Sequence, residues 1–255
     1  MAEQNVVLEN IIPQNKVGGF VERLRAAAGA NLESVILFGS AVAGDFHPGL
    51  SNINLLCVVR DGSFASLQAL SGAIKWWDRQ KQPPPLVMTR TEIERSTDLF
   101  TIELLDMKQH HRVLYGEDFV RNLTIPAHLH AIQVEYELRE KLMLLRQHFL
   151  LAAGDDSRLW ELLQRSVSSF ATLFRHALVV LGENAPVSKR DSVLALARKV
   201  AFDAAGFLAV LEVREKKANR KNFDVTAISS QYLAAVEQAA SAVDKMLDST
   251  STTSL

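Results

Sequence analysis

Cysteine is almost absent from this chain: Cys57 is the only one in 255 residues. One thiol excludes an internal disulfide framework and a zinc site built on several cysteines. Cys57 lies within an apolar run, 55–59, as a buried strand residue would. Net charge is lacking as well. Lys and Arg total 28 against 29 Asp and Glu, a formal net charge of −1. With a sequence pI near 6.7, there is no global electrostatic case for a polyanion, and nucleic acid is not expected as a partner. Long apolar runs are also missing, since none approaches the ~20 residues that cross a bilayer. The opening MAEQNVVLENIIPQNK is too polar for the core of a secretory signal. A cytoplasmic protein with no membrane partner is the expectation.

What is present suffices for more than one core. Hydrophobic residues make up 48% of the chain, and its length holds one large or two modest domains. In the first half, spacing predicts a helix over 17–28 with Phe20 and Leu24 inward, then strands over 34–38 and 52–59. A helix over 63–81 follows, with Leu67, Leu70, Ile74 and Trp77 three or four residues apart. Pro83, Pro84 and Pro85 stop it before a third strand, 84–89. A helix opens at Thr91, and 100–112 has apolar residues at helical spacing.

From about Pro126 the pattern is helix after helix. Leu138, Leu142, Leu145 and Phe149 trace one stripe; Leu159, Leu163, Val167, Phe170, Phe174 and Leu178 trace the next. A third helical region, 188–217, bends near Phe202 and Asp203, and a fourth covers 227–247. Four such helices with short breaks suit an antiparallel bundle. The expected fold class is α+β: a small mixed β-sheet domain flanked by helices over 1–122, an all-α helical bundle over 123–248, and a disordered tail, 249–255, almost all Ser and Thr. No internal repeat is evident.

The stretch 34–59, SVILFGSAVAGDFHPGLSNINLLCVV, is the most informative. An apolar strand runs into Gly39-Ser40, eleven residues follow (Ala41 to Ser51), and a second strand opens with Asn52-Ile53-Asn54. Period-two alternation sets Asn52 and Asn54 side by side and sends Ile53 into a core. Glycine lets backbone approach a ligand, the N–H groups opening a short helix suit phosphate, and Ser40 adds a hydroxyl. Two side chains at the mouth of a sheet can share a metal. Magnesium, however, prefers carboxylates and phosphates, and an Asn carbonyl brings no charge.

This layout resembles the polymerase-beta-like nucleotidyltransferase superfamily, whose pattern is Gly-Ser, a short helix and loop, then Asp-x-Asp entering a strand. The resemblance spans roughly residues 15–120 and closes with Val113-Leu114-Tyr115-Gly116-Glu117-Asp118. It implies nucleotide binding at Gly39 and Ser40, and metal binding at positions 52 and 54, where this chain has Asn. It also implies a third carboxylate on a later strand, and 84–89 contains no acid. Glu92, Glu94, Glu103 and Asp106 lie downstream, and Asp45 reads as a cap or turn former. A nucleotidyltransferase domain followed by a helical bundle resembles the aminoglycoside nucleotidyltransferases and the paired nucleotidyltransferase and HEPN proteins. The HEPN ribonuclease motif, an Arg and a His separated by four to six residues on one helix, is missing. Arg175 and His176 are adjacent, Arg139 and His148 are too far apart, and the pair Arg121 and His128 straddles Pro126.

The resemblance therefore implies a catalytically degenerate protein that binds a nucleotide weakly, a protein partner or another copy of itself. The alternatives are an active enzyme moving a nucleoside monophosphate from a triphosphate to a hydroxyl, with Mg2+ required only then, and a structural protein without a ligand. No catalytic residue or metal ligand is assigned. Other features have plain readings. His110 and His111 are helix neighbours at the surface or an interface, Trp76 and Trp77 supply one core ring and one half-exposed ring, and the basic run REKKANRK (Arg214 to Lys221) is a solvated helix end.

Overall fold

The computed structural model describes residues 14–44, 46 and 51–252, so Asp45 lies outside the described residues. The chain divides into two compact units, Met1–Pro126 and Ala127–Leu255.

In the first unit, α1 (Gln14–Ala28) leads through a 3-10 turn to β1 (Leu32–Phe38), α2 (Ser40–Ala43), β2 (Asn54–Val59) and α3 (Phe64–Asp78). Then come β3 (Leu86–Thr89), α4 (Arg90–Arg95), α5 (Thr101–Gln109) and β4 (His111–Gly116). The strands form one mixed sheet of order β3-β2-β1-β4. β1 is antiparallel to β2 and β4, and β2 runs parallel to β3.

The inner strands are apolar at successive positions because both sheet faces are covered. On one face Val35, Leu37, Leu55, Cys57 and Val59 pack with Phe20 and Leu24 of α1 and Leu70 and Trp77 of α3. On the other, Ile36, Leu56 and Val58 meet Ile93, Leu104, Met107 and Val120. Trp77 stacks on Phe20 at 4.5 Å and donates its indole N–H to the Pro83 carbonyl at 3.0 Å. Trp76 stays partly exposed beneath Arg23.

Several expectations need correction. β2 begins at Asn54, not Asn52, because β1 ends at Phe38 opposite Asn54 and offers nothing further to pair with. The Ile53 N–H instead donates to the Gln82 side chain at 2.9 Å. The segment 100–112 is not one helix. α5 stops at Gln109, His110 caps it with extended backbone angles, and His111 opens β4 against β1. His110 and His111 are therefore not helix neighbours. α4 starts one residue before the expected Thr91, with Thr89 as its cap.

The second unit holds α6 (Ala127–Ala152), α7 (Asp156–Val180), α8 (Lys189–Val200), α9 (Ala205–Arg214) and α10 (Val225–Thr252). Asp155 caps α7 by accepting from the Ser157 and Arg158 N–H groups, and all six residues of the expected α7 stripe are buried. The helical region 188–217 is two helices, because Ala201 enters the left-handed region at φ 63° and ends α8. Asp203 then accepts from the Ala205 N–H to start α9. Residues 249–252, expected in a disordered tail, continue α10.

Candidate nucleotide site

The site is built on one glycine. β1 ends at Phe38, and Gly39 takes φ 77° and ψ −155°, a region nearly closed to residues with a Cβ. The chain turns there, and the Gly39 carbonyl accepts from both Val42 and Ala43 N–H at 3.0 Å, closing the short α2. Space demands glycine as well: a Cβ at this position would stand 3.0 Å from Asn54 Nδ2. Of the two asparagines, Asn54 is the one that meets the turn. Asn52 is exposed ahead of the strand, and Ser40, partly exposed, directly follows the glycine.

Register supplies the rest of the site. Phe38 lies opposite Asn54 on β2 and opposite His111 on β4. Cross-strand partners share a sheet face, so Asn54, Phe38 and His111 form one row at the end where Gly39 leaves the sheet. With strands ~4.8 Å apart, the outer two backbones are roughly 10 Å apart. His111 Nε2 is 2.8 Å from Asp118 Oδ1, which also accepts from the Arg121 N–H at 3.2 Å. An imidazole that donates from Nε2 keeps a lone pair on Nδ1. Sequence reasoning missed this pair, although Val113 and Tyr115 carried a strand signal.

Among the downstream carboxylates, Glu92 is taken up in a helix cap. β3 reads Leu-Val-Met-Thr and holds no acid. Glu92 forms a capping box with Thr89, accepting from its N–H at 2.6 Å and its hydroxyl at 2.8 Å. Those bonds, the backbone one foremost, hold the Glu92 carboxyl below its ordinary pKa. Glu94 and Glu103 are exposed on α4 and α5. A divalent metal implied by the superfamily does not fit this donor set: the two Asn side chains are neutral, and the Asn54 amide nitrogen is turned to Gly39. Among the described residues, no group of three or more His, Cys, Asp or Glu is placed to hold a metal ion.

A strand, a Gly-Ser turn, a short helix and a returning antiparallel strand thus stand together in a small mixed α+β sheet domain. Residues 19–111 match the family model described as Nucleotidyltransferase domain. Among solved structures, the chain is similar to spectinomycin adenyltransferase AAD(9) from Enterococcus faecialis, determined with ATP and spectinomycin. That match has a TM-score of 0.58 at 17% identity, covering 91% of this chain and 100% of that one, and it shows a shared fold. A toxin-antitoxin structure with AMP-PNP matches at a TM-score of 0.31 and 15% identity, covering 52% of this chain and 96% of its own. No curated protein matches the chain in sequence.

Proposed function

We propose that the first unit binds nucleotide phosphates at Gly39 and Ser40, and that the protein is a cytoplasmic nucleotide-binding pseudoenzyme on a nucleotidyltransferase scaffold. One observation carries this reading: the side chain against the Gly39 turn is the uncharged amide of Asn54. An amide and a hydroxyl can donate to phosphate oxygens without a metal. They offer neither the charge that retains a divalent ion nor a base for an acceptor hydroxyl. The protein meets no membrane in this reading; among the described residues no helix is long and apolar enough to cross one.

The test is transfer of labelled nucleoside monophosphate from triphosphates to a panel of hydroxyl acceptors, in magnesium and in manganese. The protein is expected to transfer none. The double variant Asn52→Asp, Asn54→Asp is expected to bind metal better yet transfer little, because β3 supplies no third acid. Robust transfer by the unaltered protein would overturn the reading.

A second reading, active transfer to a hydroxyl, is favoured by the His111–Asp118 pair on the face of Asn54. In it, His111 Nδ1 takes the acceptor proton, the hydroxyl oxygen attacks the α-phosphorus, and pyrophosphate leaves with the bonding electrons. Any transfer activity should then vanish in His111→Asn.

A further inference from the structure

Every large hydrophobic side chain exposed in the described part of the second unit lies on α6: Ile132, Tyr136, Met143, Leu144, Leu150 and Leu151. Their exposure runs from 44% for Leu144 to 81% for Leu150. At 100° per residue they fall within an arc of about 120°, opposite the face formed by Val134, Leu138, Leu142 and Leu145, which is buried. α6 is thus apolar on two sides, and only one is covered by its own unit. Concentrated apolar surface of this kind marks a contact site rather than ordinary scatter.

We infer that the outer face of α6 is a self-association surface, and that its occupant is the same face of a second copy of this chain. Tyr136, Met143 and Leu150 recur every seven residues, the repeat that keeps a seam facing another helix over several turns. Beside them a groove of about 410 Å³ between α6 and α7, lined by Leu144, Leu151, Leu162 and Phe170, can receive partner side chains. The six exposed residues offer on the order of 700 Å² per copy, against ~800 Å² per partner in a standard stable interface. A two-fold axis lets one patch serve both sides.

Charge favours this occupant over an anionic one. α6 carries three acids and three Lys or Arg. Its flanking arginines are already paired, Arg139 with Glu135 and Asp244, and Arg146 with Glu237. The seam therefore has no uncompensated positive charge to draw a lipid surface or an acidic segment. Glu140 is the one charged residue within the arc, so a largely apolar helix is what the seam complements, and it is one itself. The inference is independent of the nucleotide reading.

The experiment is sedimentation velocity on the full chain across a micromolar range, beside the double variant Tyr136→Glu, Leu150→Glu. The unaltered protein should run at twice its 28.3 kDa chain mass. The variant should dissociate at least a hundredfold more readily, with an unchanged far-ultraviolet circular dichroism spectrum because both sites are exposed. Phe64→Glu, an exposed apolar position of the first unit, should remain dimeric. The inference is overturned by an unaltered protein that stays monomeric throughout, by a double variant that stays dimeric, or by a monomer that floats with anionic vesicles.

Discussion

The first unit divides its core between the two faces of one sheet, whereas the second gathers an aromatic cluster among five described helices. In the first, a backbone turn at Gly39 sets the candidate site, and polar side chains end strands and cap helices around it. In the second, Phe170, Phe174, Phe207 and Tyr232 fill the centre, with Phe207 stacked on Tyr232 at 3.9 Å. A buried polar pair crosses the same bundle, His130 Nε2 lying 2.9 Å from His176 Nδ1, so one ring donates and the other accepts. Side-chain volume specifies the helical unit, and backbone conformation specifies the sheet unit. Substitutions that remove volume should therefore hurt the second, and substitutions that add a Cβ should hurt the first.

The largest effect is expected from Phe207→Ala. Emptying a site touched by three other rings should cost about 3–5 kcal/mol. Hydrogen exchange should show the loss in α7, α9 and α10, with β1 and β2 still protected. Equal loss in β1 and β2 would mean that the units do not stand on separate cores. Next is Gly116→Ala in the first unit. Gly116 has φ 78°, and a Cβ there would stand 1.9 Å from the Glu33 carbonyl oxygen, so strain and clash together should cost about 2–4 kcal/mol. Exchange should now rise in β1 and β4 and stay unchanged in α7.

Cys57 sharpens the contrast through pH. Burial pushes its thiol up to about 12 from an ordinary 9.0. The folded thiol keeps its proton where the unfolded one has lost it, so the linked stability is intact below pH ~9 and falls as pH rises from there toward 12. The urea midpoint of the first unit should drop over that window more steeply than in Cys57→Ala. Iodoacetamide should leave native Cys57 unmodified at pH 8. A smaller effect belongs to Thr89→Ala, which removes the cap of α4 and should cost about 1 kcal/mol. The Glu92 carboxyl bound to that cap titrates below its ordinary value. Its contribution is present above that ordinary value and is lost as pH falls through the lowered one, a dependence that thermal melts should show weakened in the variant.

Much of this was legible in the sequence because the signals are local. The strand into Gly39-Ser40, the helix that opens at Ser63 and the α7 stripe each follow from neighbours in the chain. The site was only half legible. Period-two alternation placed Ile53 inward and Asn54 outward, but it could not show that β1 runs out opposite Asn54 and leaves Asn52 outside the ladder. His111 was hidden for the same reason: its strand character comes from pairing with β1, and nothing nearby announces a partner 73 positions earlier, at Phe38. His130 and His176, 46 residues apart, meet only when two helices pack. Ala201 ended α8 without the glycine or asparagine that usually marks a left-handed cap.

The central claim is that nucleotide is held by the Gly39–Ser40 turn and an amide, without a metal, and titration calorimetry tests it most directly. ATP should be titrated into the unaltered protein with magnesium and with a chelator. Binding in both, with affinities within about one order of magnitude or roughly 1.4 kcal/mol, is the predicted result. Gly39→Ala should abolish it, since its Cβ would press on Asn54. Binding that appears only with magnesium would contradict the account and show that carboxylates elsewhere hold the ion. No binding in either condition would contradict it as well, and would leave the scaffold without a nucleotide site.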